Sequence, residues 1–163
     1  MKDWDKKMSK GVLIHGLFTS RFFDDLVKSQ HQAIFVLEGR PVFQTSKHAC
    51  RELNKRKITP TLISDNMAGF LFYKNLVKKV FLSYQAVDHR GALCPIGSLI
   101  LAVLGKKHHV PVDLYPSKEK EKLMGRSQDI CYLNGQKIVP ENFKGYVPLT
   151  EWVSKKYITK LNS

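Results

Sequence analysis

Residues 33–44 read AIFVLEGRPVFQ. The run Ala33–Glu38 opens with five apolar residues and has no polar face, so it reads as a strand buried on both sides. Gly39–Arg40–Pro41 breaks it. Working outward, the same pattern recurs in Gly11–His15 (GVLIH), Thr61–Ser64 (TLIS), Lys79–Tyr84 (KVFLSY) and Pro111–Tyr115 (PVDLY). Helical stretches lie between these runs. Arg21–Ser29 follows Thr19 or Ser20 as cap and repeats Phe22, Phe23, Leu26 and Val27 at helical spacing. Ser46–Arg56 turns Ala49, Cys50 and Leu53 inward. Met67–Lys74 follows Asp65 or Asn66 as cap, and Ile96–His108 is mostly apolar. Strands alternating with helices imply an α/β fold: a Rossmann-like, doubly wound, mostly parallel sheet in three layers.

The remainder is less regular. Asp88–Pro95 reads as a loop and Lys118–Met124 as a short helix. Asp129–Leu133 and Lys137–Val139 flank the turn signal Asn134–Gly135. Thr150–Val153 and Lys156–Thr159 close the chain. Residues 1–163 are expected to form one domain, with 1–10 as an N-terminal extension.

With 163 residues and 43% hydrophobic content, the chain can bury a core. No apolar run approaches the roughly 18–20 residues that span a bilayer, and no secretory signal is recognisable. Cys50, Cys94 and Cys131 are too scattered for a metal site or a disulfide framework, so reduced thiols and a cytoplasmic location are expected. Cys94, ahead of a helix, stands where a thiol pKa can fall, although an inert thiol is the plainer reading. The net charge of +13 permits a polyanion partner such as RNA or a ribosome. The cations are dispersed, however, over Lys6–Lys7, Lys55–Arg56–Lys57, Lys78–Lys79, Lys106–Lys107, Lys118–Lys122 and Lys155–Lys156. Several sit where helices should end and complement the helix dipole. His108–His109 is read in the same way, as a solvent-facing pair.

In open parallel sheets, ligands bind beyond the C-terminal strand ends. Those ends carry His15–Ser20, Glu38–Gln44, Asp65–Ala68, Tyr84–Pro95 and Tyr115–Ser117. Helix N-termini at Ser20 and Asn66 offer N–H groups to an anion. No glycine-rich dinucleotide motif or phosphate loop is present, and no cofactor or metal is expected.

These segments carry a resemblance. His15 with Ser20–Arg21 resembles the strand-end His…Ser-Arg of initiation-factor-2B subunits. Glu38–Gly39–Arg40–Pro41–Val42–Phe43–Gln44 resembles the E-T-R-P-x-x-Q of methylthioribose-1-phosphate and ribose-1,5-bisphosphate isomerases. Asp65–Asn66–Met67–Ala68 is similar to their D-S-M-A. Pro95–Ile96–Gly97–Ser98, followed by Leu101–Ala102–Val103, is similar to N-K-I-G-T and its buried helix. Val147–Pro148–Leu149–Thr150 and Ile158–Thr159–Lys160 resemble the closing V-T-P and I-I-T-E. The order holds from Gly11 to the C-terminus. The resemblance is to the initiation-factor-2B / methylthioribose-1-phosphate isomerase family, of the CoA-transferase-like fold kind.

Three departures stand out. Gly16 occupies the position of the isomerases' cysteine, Gln85 that of their fourth-strand aspartate, and Cys94–Pro95 that of their Asn-Lys. Neither glycine nor glutamine titrates in the range that acid–base chemistry needs. The resemblance also implies an N-terminal helical domain with an R-G-A-P-type segment against the phosphate, whereas about ten residues precede the first strand here. A companion subunit would then have to supply that wall.

The expected ligand-binding residues are His15, Ser20, Arg21, Arg40, Gln44, Asp65, Gln85, His89 and Gly91. Asp88–Arg90, just ahead of Gly91, is a candidate phosphate lip. Asp65 can instead cap its helix, and His15 can be a satisfied core histidine. The main expectation is a non-catalytic regulatory domain binding a phosphorylated ribose, a nucleotide or a partner subunit in a homo- or hetero-oligomer. One alternative is an aldose–ketose isomerase using His15, Asp65 or Asp88. The other is a basic RNA- or ribosome-associated protein. The helix Ile96–Leu104 and the C-terminal segment are candidate contact surfaces between subunits, and no membrane contact is expected.

Overall fold

A computed structural model describes residues 8–163; Lys6–Lys7 and most of the expected N-terminal extension lie outside the described residues. Strand β1 (Gly11–His15) is buried along its whole length, as is β2 (Ile34–Leu37). With β3 (Thr61–Ile63), β4 (Val77–Tyr84), β7 (Val112–Pro116) and β11 (Lys160–Leu161) they form a six-stranded parallel sheet, in the order β11-β7-β4-β1-β2-β3. The chain runs outward from β1 to β3, then crosses back to lay β4 on the other side of β1. Strand order therefore reverses between β1 and β4.

The pleat of β1 divides the core. Val12 and Ile14 pack with Phe22, Phe23 and Leu26 of α1 (Ser20–Lys28) and with Ala49 and Leu53 of α2 (Gln44–Lys55). Leu13 packs on the opposite face with Leu71 of α3 (Ala68–Tyr73) and Leu101 and Ala102 of α4 (Ser98–Lys107). This is the expected three-layer arrangement, and it follows from the period of two in a strand covered on both faces. Helix α4 leaves Ile100 and Val103 exposed on its outer side.

The expected loop Asp88–Pro95 is instead largely a strand. A second, antiparallel sheet joins β5 (Ala86–Val87), β6 (Gly91–Pro95) and β10 (Thr150–Ser154), with β6 in the middle. Gly91 opposes Ser154, and a Cβ at Gly91 would stand 2.0 Å from the Val153 carbonyl oxygen. The glycine that suggested a loop is thus what lets two strands approach. Pro95 ends β6, and the helix expected from Ile96 starts at Ser98, after Gly97 at φ 95°. Helix α2 starts at Gln44, two residues earlier than expected, after Phe43 in the left-handed region. The Asp65–Asn66 region forms a 3-10 turn, Asp65–Met67, before α3.

The C-terminal third departs most. Lys118–Met124 is not helical, and the short helix α5 occupies Ser127–Cys131, where a strand was expected. The hairpin around Asn134–Gly135 is present but short, pairing β8 (Tyr132–Leu133) with β9 (Gln136–Lys137). The closing segment Lys156–Thr159 begins within a 3-10 turn (Lys155–Tyr157), and the edge strand β11 follows it. Among the described residues, no helix is long and apolar enough to cross a membrane.

Gly16 sits at the reversal point with φ 143°, and a Cβ there would lie 2.1 Å from Ser83 Oγ. That hydroxyl accepts the Leu17 N–H at 3.0 Å. Gly16→Ala is therefore expected to cost about 1–3 kcal/mol through strain and displacement of Ser83. Urea unfolding checks this, and an unchanged midpoint would mean that the two strands separate freely.

Candidate functional site

The C-terminal ends of β1, β2 and β6 converge on one cleft. His15, the last residue of β1, is 3% exposed. Its Nε2 lies 2.8 Å from the Ile96 carbonyl oxygen, while its Nδ1 has no partner. Burial holds the ring's pKa below the usual histidine value, so the imidazole stays neutral near pH 7. Because the Ile96 carbonyl can only accept, Nε2 is assigned the proton, which leaves Nδ1 as a buried acceptor.

Beside His15 runs the β2–α2 turn. The Asp65 carboxylate accepts the backbone N–H groups of Gly39 and Arg40, each at 2.9 Å. It neither caps its own helix nor points free to a ligand; it fastens the turn that precedes α2. Gly39 has φ 69°, and its missing side chain leaves room for Thr45 Oγ1. Thr45 is 6% exposed, and its hydroxyl has no partner. The Arg40 guanidinium makes no ion pair among the described residues. Arg40, Gln44 and Thr45 thus gather at the N-terminal end of the 12-residue helix α2, where unsatisfied N–H groups and the helix dipole favour an anion.

His15, Gly39, Arg40, Gln44, Thr45 and Glu121 line a pocket of about 10 Å³, room for about one water molecule or hydroxyl group. It opens toward a groove of about 910 Å³, which shares Gln44 and Glu121 and is edged by Lys120, Lys122 and Arg126. Gln44 donates weakly to Glu119 at 3.5 Å. Gln85, just past β4, does not line the pocket. Its amide accepts the Glu121 backbone N–H at 2.6 Å and donates to the Glu121 carbonyl at 3.4 Å, and so clamps the loop that carries Glu121.

The other expected site residues lie elsewhere. The Ser20 hydroxyl and carbonyl both accept from Arg56, at 2.6 and 3.0 Å, and Arg21 is exposed on α1. His89 is exposed in the β5–β6 turn. There Asp88 accepts the N–H groups of Arg90 and Gly91 and pairs with the Arg90 guanidinium at 2.8 Å. Asp88 is therefore a turn residue and no part of this cleft. Cys94 is fully buried in β6, and its burial raises the thiol pKa instead of lowering it. At the start of α4, the Glu151 carboxylate already accepts the Leu99 N–H at 2.9 Å. No group of three or more metal-ligating side chains occurs among the described residues.

The sequence reading missed Thr45 and Glu121. Thr45 had a signal, since it follows Gln44 at a helix start. Glu121 had none, because its approach to the cleft depends on a contact 36 residues back in the chain, to Gln85. Asp65→Ala would leave two N–H groups of the turn unpaired. It is expected to lower stability by about 1–3 kcal/mol, read as a fall in the thermal midpoint; an unchanged midpoint would refute the clamp.

The comparisons with known proteins agree with this architecture. A methylthioribose-1-phosphate isomerase of Koribacter versatilis is 28% identical over 140 residues, which are 78% of this chain and 40% of that protein. The crystal structure of subunit delta of translation initiation factor eIF-2B from A. fulgidus superposes with a TM-score of 0.77 at 19% identity, covering 96% of this chain and 53% of the other. The 5-methylthioribose 1-phosphate isomerase of Pyrococcus horikoshii OT3 gives 0.76 at 18% identity, covering 96% and 51%. The chain thus spans about half the length, or less, of the proteins it matches. The model of the initiation factor 2 subunit family matches residues 12–162, nearly the whole chain, and the protein belongs to that family.

Proposed function

We propose that the cleft binds a phosphorylated ribose-type sugar. The observation that carries this reading is the meeting of Arg40, Gln44 and the N-terminal end of α2 beside His15, at the point where strand order reverses. An unpaired guanidinium and a helix N-terminus suit a phosphate. A neutral, buried imidazole beside them suits an uncharged sugar hydroxyl. The name of the Koribacter relative gives the ligand class, a methylthioribose 1-phosphate.

A thermal-shift titration tests the binding. Ligand at about 100 times its Kd adds about 2.7 kcal/mol to the folded state, so methylthioribose 1-phosphate is expected to raise the melting temperature. Arg40→Ala and Gln44→Ala are expected to weaken or abolish the shift. A flat response at millimolar ligand would defeat the proposal.

Two fates are open to the bound sugar phosphate. Turnover, as an aldose–ketose isomerase, is favoured by the names of the relatives. A regulatory role without chemistry is favoured by Gly16 and Gln85, neither of which can exchange a proton near neutral pH. Conversion of methylthioribose 1-phosphate to its ketose, monitored by proton NMR, separates them. Ketose formed by the wild-type chain and lost in His15→Asn establishes the isomerase; binding without conversion leaves the regulatory reading. Pairing of subunits through the exposed Ile100 and Val103 of α4 is part of the same proposal.

A further inference from the structure

The pocket beside His15 holds more unmet polar groups than phosphate binding requires. His15 Nδ1 and Thr45 Oγ1 are both buried without a partner. Buried polar groups are nearly always satisfied, so two facing one small pocket mark a place for ligand atoms. A third group joins them. Among the described residues, Glu121 is the only carboxylate lining this pocket, and its carboxyl makes no hydrogen bond or ion pair with any of them. The chain carries 27 lysines and arginines, two of them, Lys120 and Lys122, flanking Glu121 in sequence. A half-buried carboxyl left unpaired amid such an excess of cations has no evident structural task.

Its placement is not loose. The Gln85 amide grips both the N–H and the carbonyl of the Glu121 backbone. Gln85 is itself tied to the small sheet, since its N–H donates to the Leu93 carbonyl at 2.9 Å. The carboxyl is thus carried on a loop anchored beside the reversal point.

We propose that His15, Thr45 and Glu121 form a hydroxyl-recognition site in which the sugar of the phosphorylated ligand is held, with Gln85 as the residue that positions Glu121. The assignment rests on the sugar-phosphate reading of the cleft and adds the residues that read the sugar. His15 Nδ1 accepts from one hydroxyl, and Thr45 Oγ1 donates or accepts at the same pocket. Glu121 takes a second hydroxyl on the groove side. Burial, with Glu119 nearby, raises the Glu121 pKa to about 7. Below that pH the carboxyl keeps its proton and can donate; above it the carboxylate repels the ligand's phosphate. The other charged groups around it are Lys120 and Lys122 on its own loop and Arg40 from the β2–α2 turn. Arg126 and Asp129 across the groove pair with each other at 2.8 Å.

Calorimetric titration of the full chain with methylthioribose 1-phosphate, and separately with inorganic phosphate, tests the assignment. Well below pH 7, where the Glu121 carboxyl keeps its proton, Glu121→Ala is expected to weaken sugar-phosphate binding about tenfold or more while leaving inorganic phosphate binding unchanged. Thr45→Val should act in the same sense, and Gln85→Ala should reproduce the Glu121 effect. Glu121→Gln keeps the shape and a donor but removes the titration. Relative to this variant, wild-type affinity should fall as pH rises through about 7. The comparison cancels the phosphate's own ionisation. Melting curves of each variant establish that it is folded. Equal sugar-phosphate affinity in wild type and folded Glu121→Ala would overturn the inference while leaving phosphate binding at Arg40 intact. Failure of the wild type to bind the sugar phosphate at all would overturn the underlying reading.

Discussion

Strand β1 is paired on both edges and covered on both faces, and the rest of the structure depends on that constraint. Between Val12 and Ile14 no polar side chain can be accommodated, and every backbone group is committed to β2 or β4. Polar chemistry can begin only where the strand ends, at His15. The cleft lies just past that end, between His15, the turn after β2 and the end of β6. Just past β1, the lack of a side chain at Gly16 lets Ser83 of β4 fill the space. The residue that departs from the isomerase pattern is therefore also one the local packing requires.

The legible parts of the sequence were those whose signal is local. Short apolar runs marked β1, β2, β4 and β7, and helical spacing of Phe22, Phe23 and Leu26 marked α1, because core burial leaves its period in the chain. The small antiparallel sheet was not legible. Gly91–Pro95 begins with glycine and ends with proline, both ordinary turn signals, and its pairing partner lies about 60 residues onward in β10. Asp65 illustrates the same limit within the site. Its position before a helix suggested a cap or a free ligand group. Its actual partners, the N–H groups of Gly39 and Arg40, come within reach only because β3 lies beside β2.

The strong positive charge proved less informative than the arrangement of its carriers. Lys28, Lys55, Lys106 and Lys107 occupy the last turns of helices, where they complement the dipole. Arg56 binds Asp24 and Glu52 and holds Ser20, and Lys79 pairs with the buried Asp113 at 2.6 Å. Much of the charge thus serves the scaffold. The contrast with Arg40 and Glu121 is what gives those two weight: both border the same pocket, and neither is paired among the described residues.

The cleft therefore has two walls of different origin. One is built from the ends of β1 and β2 and from the start of α2, all fixed by the parallel sheet and by the Asp65 clamp. The other is the irregular chain after β7, held at Glu121 by the Gln85 amide. Position 85 thus serves as support: an amide cannot move a proton near neutral pH, but it can hold a backbone by both its N–H and its carbonyl. On the proposed reading, the ionisable carboxyl that the strand end lacks is brought in by the loop that this amide holds. A site divided in this way can keep its phosphate half constant, since the fold dictates it. Its sugar half can change with a loop that the fold tolerates in many forms. On that reading, membership of the family fixes the place of the cleft more firmly than what is done there.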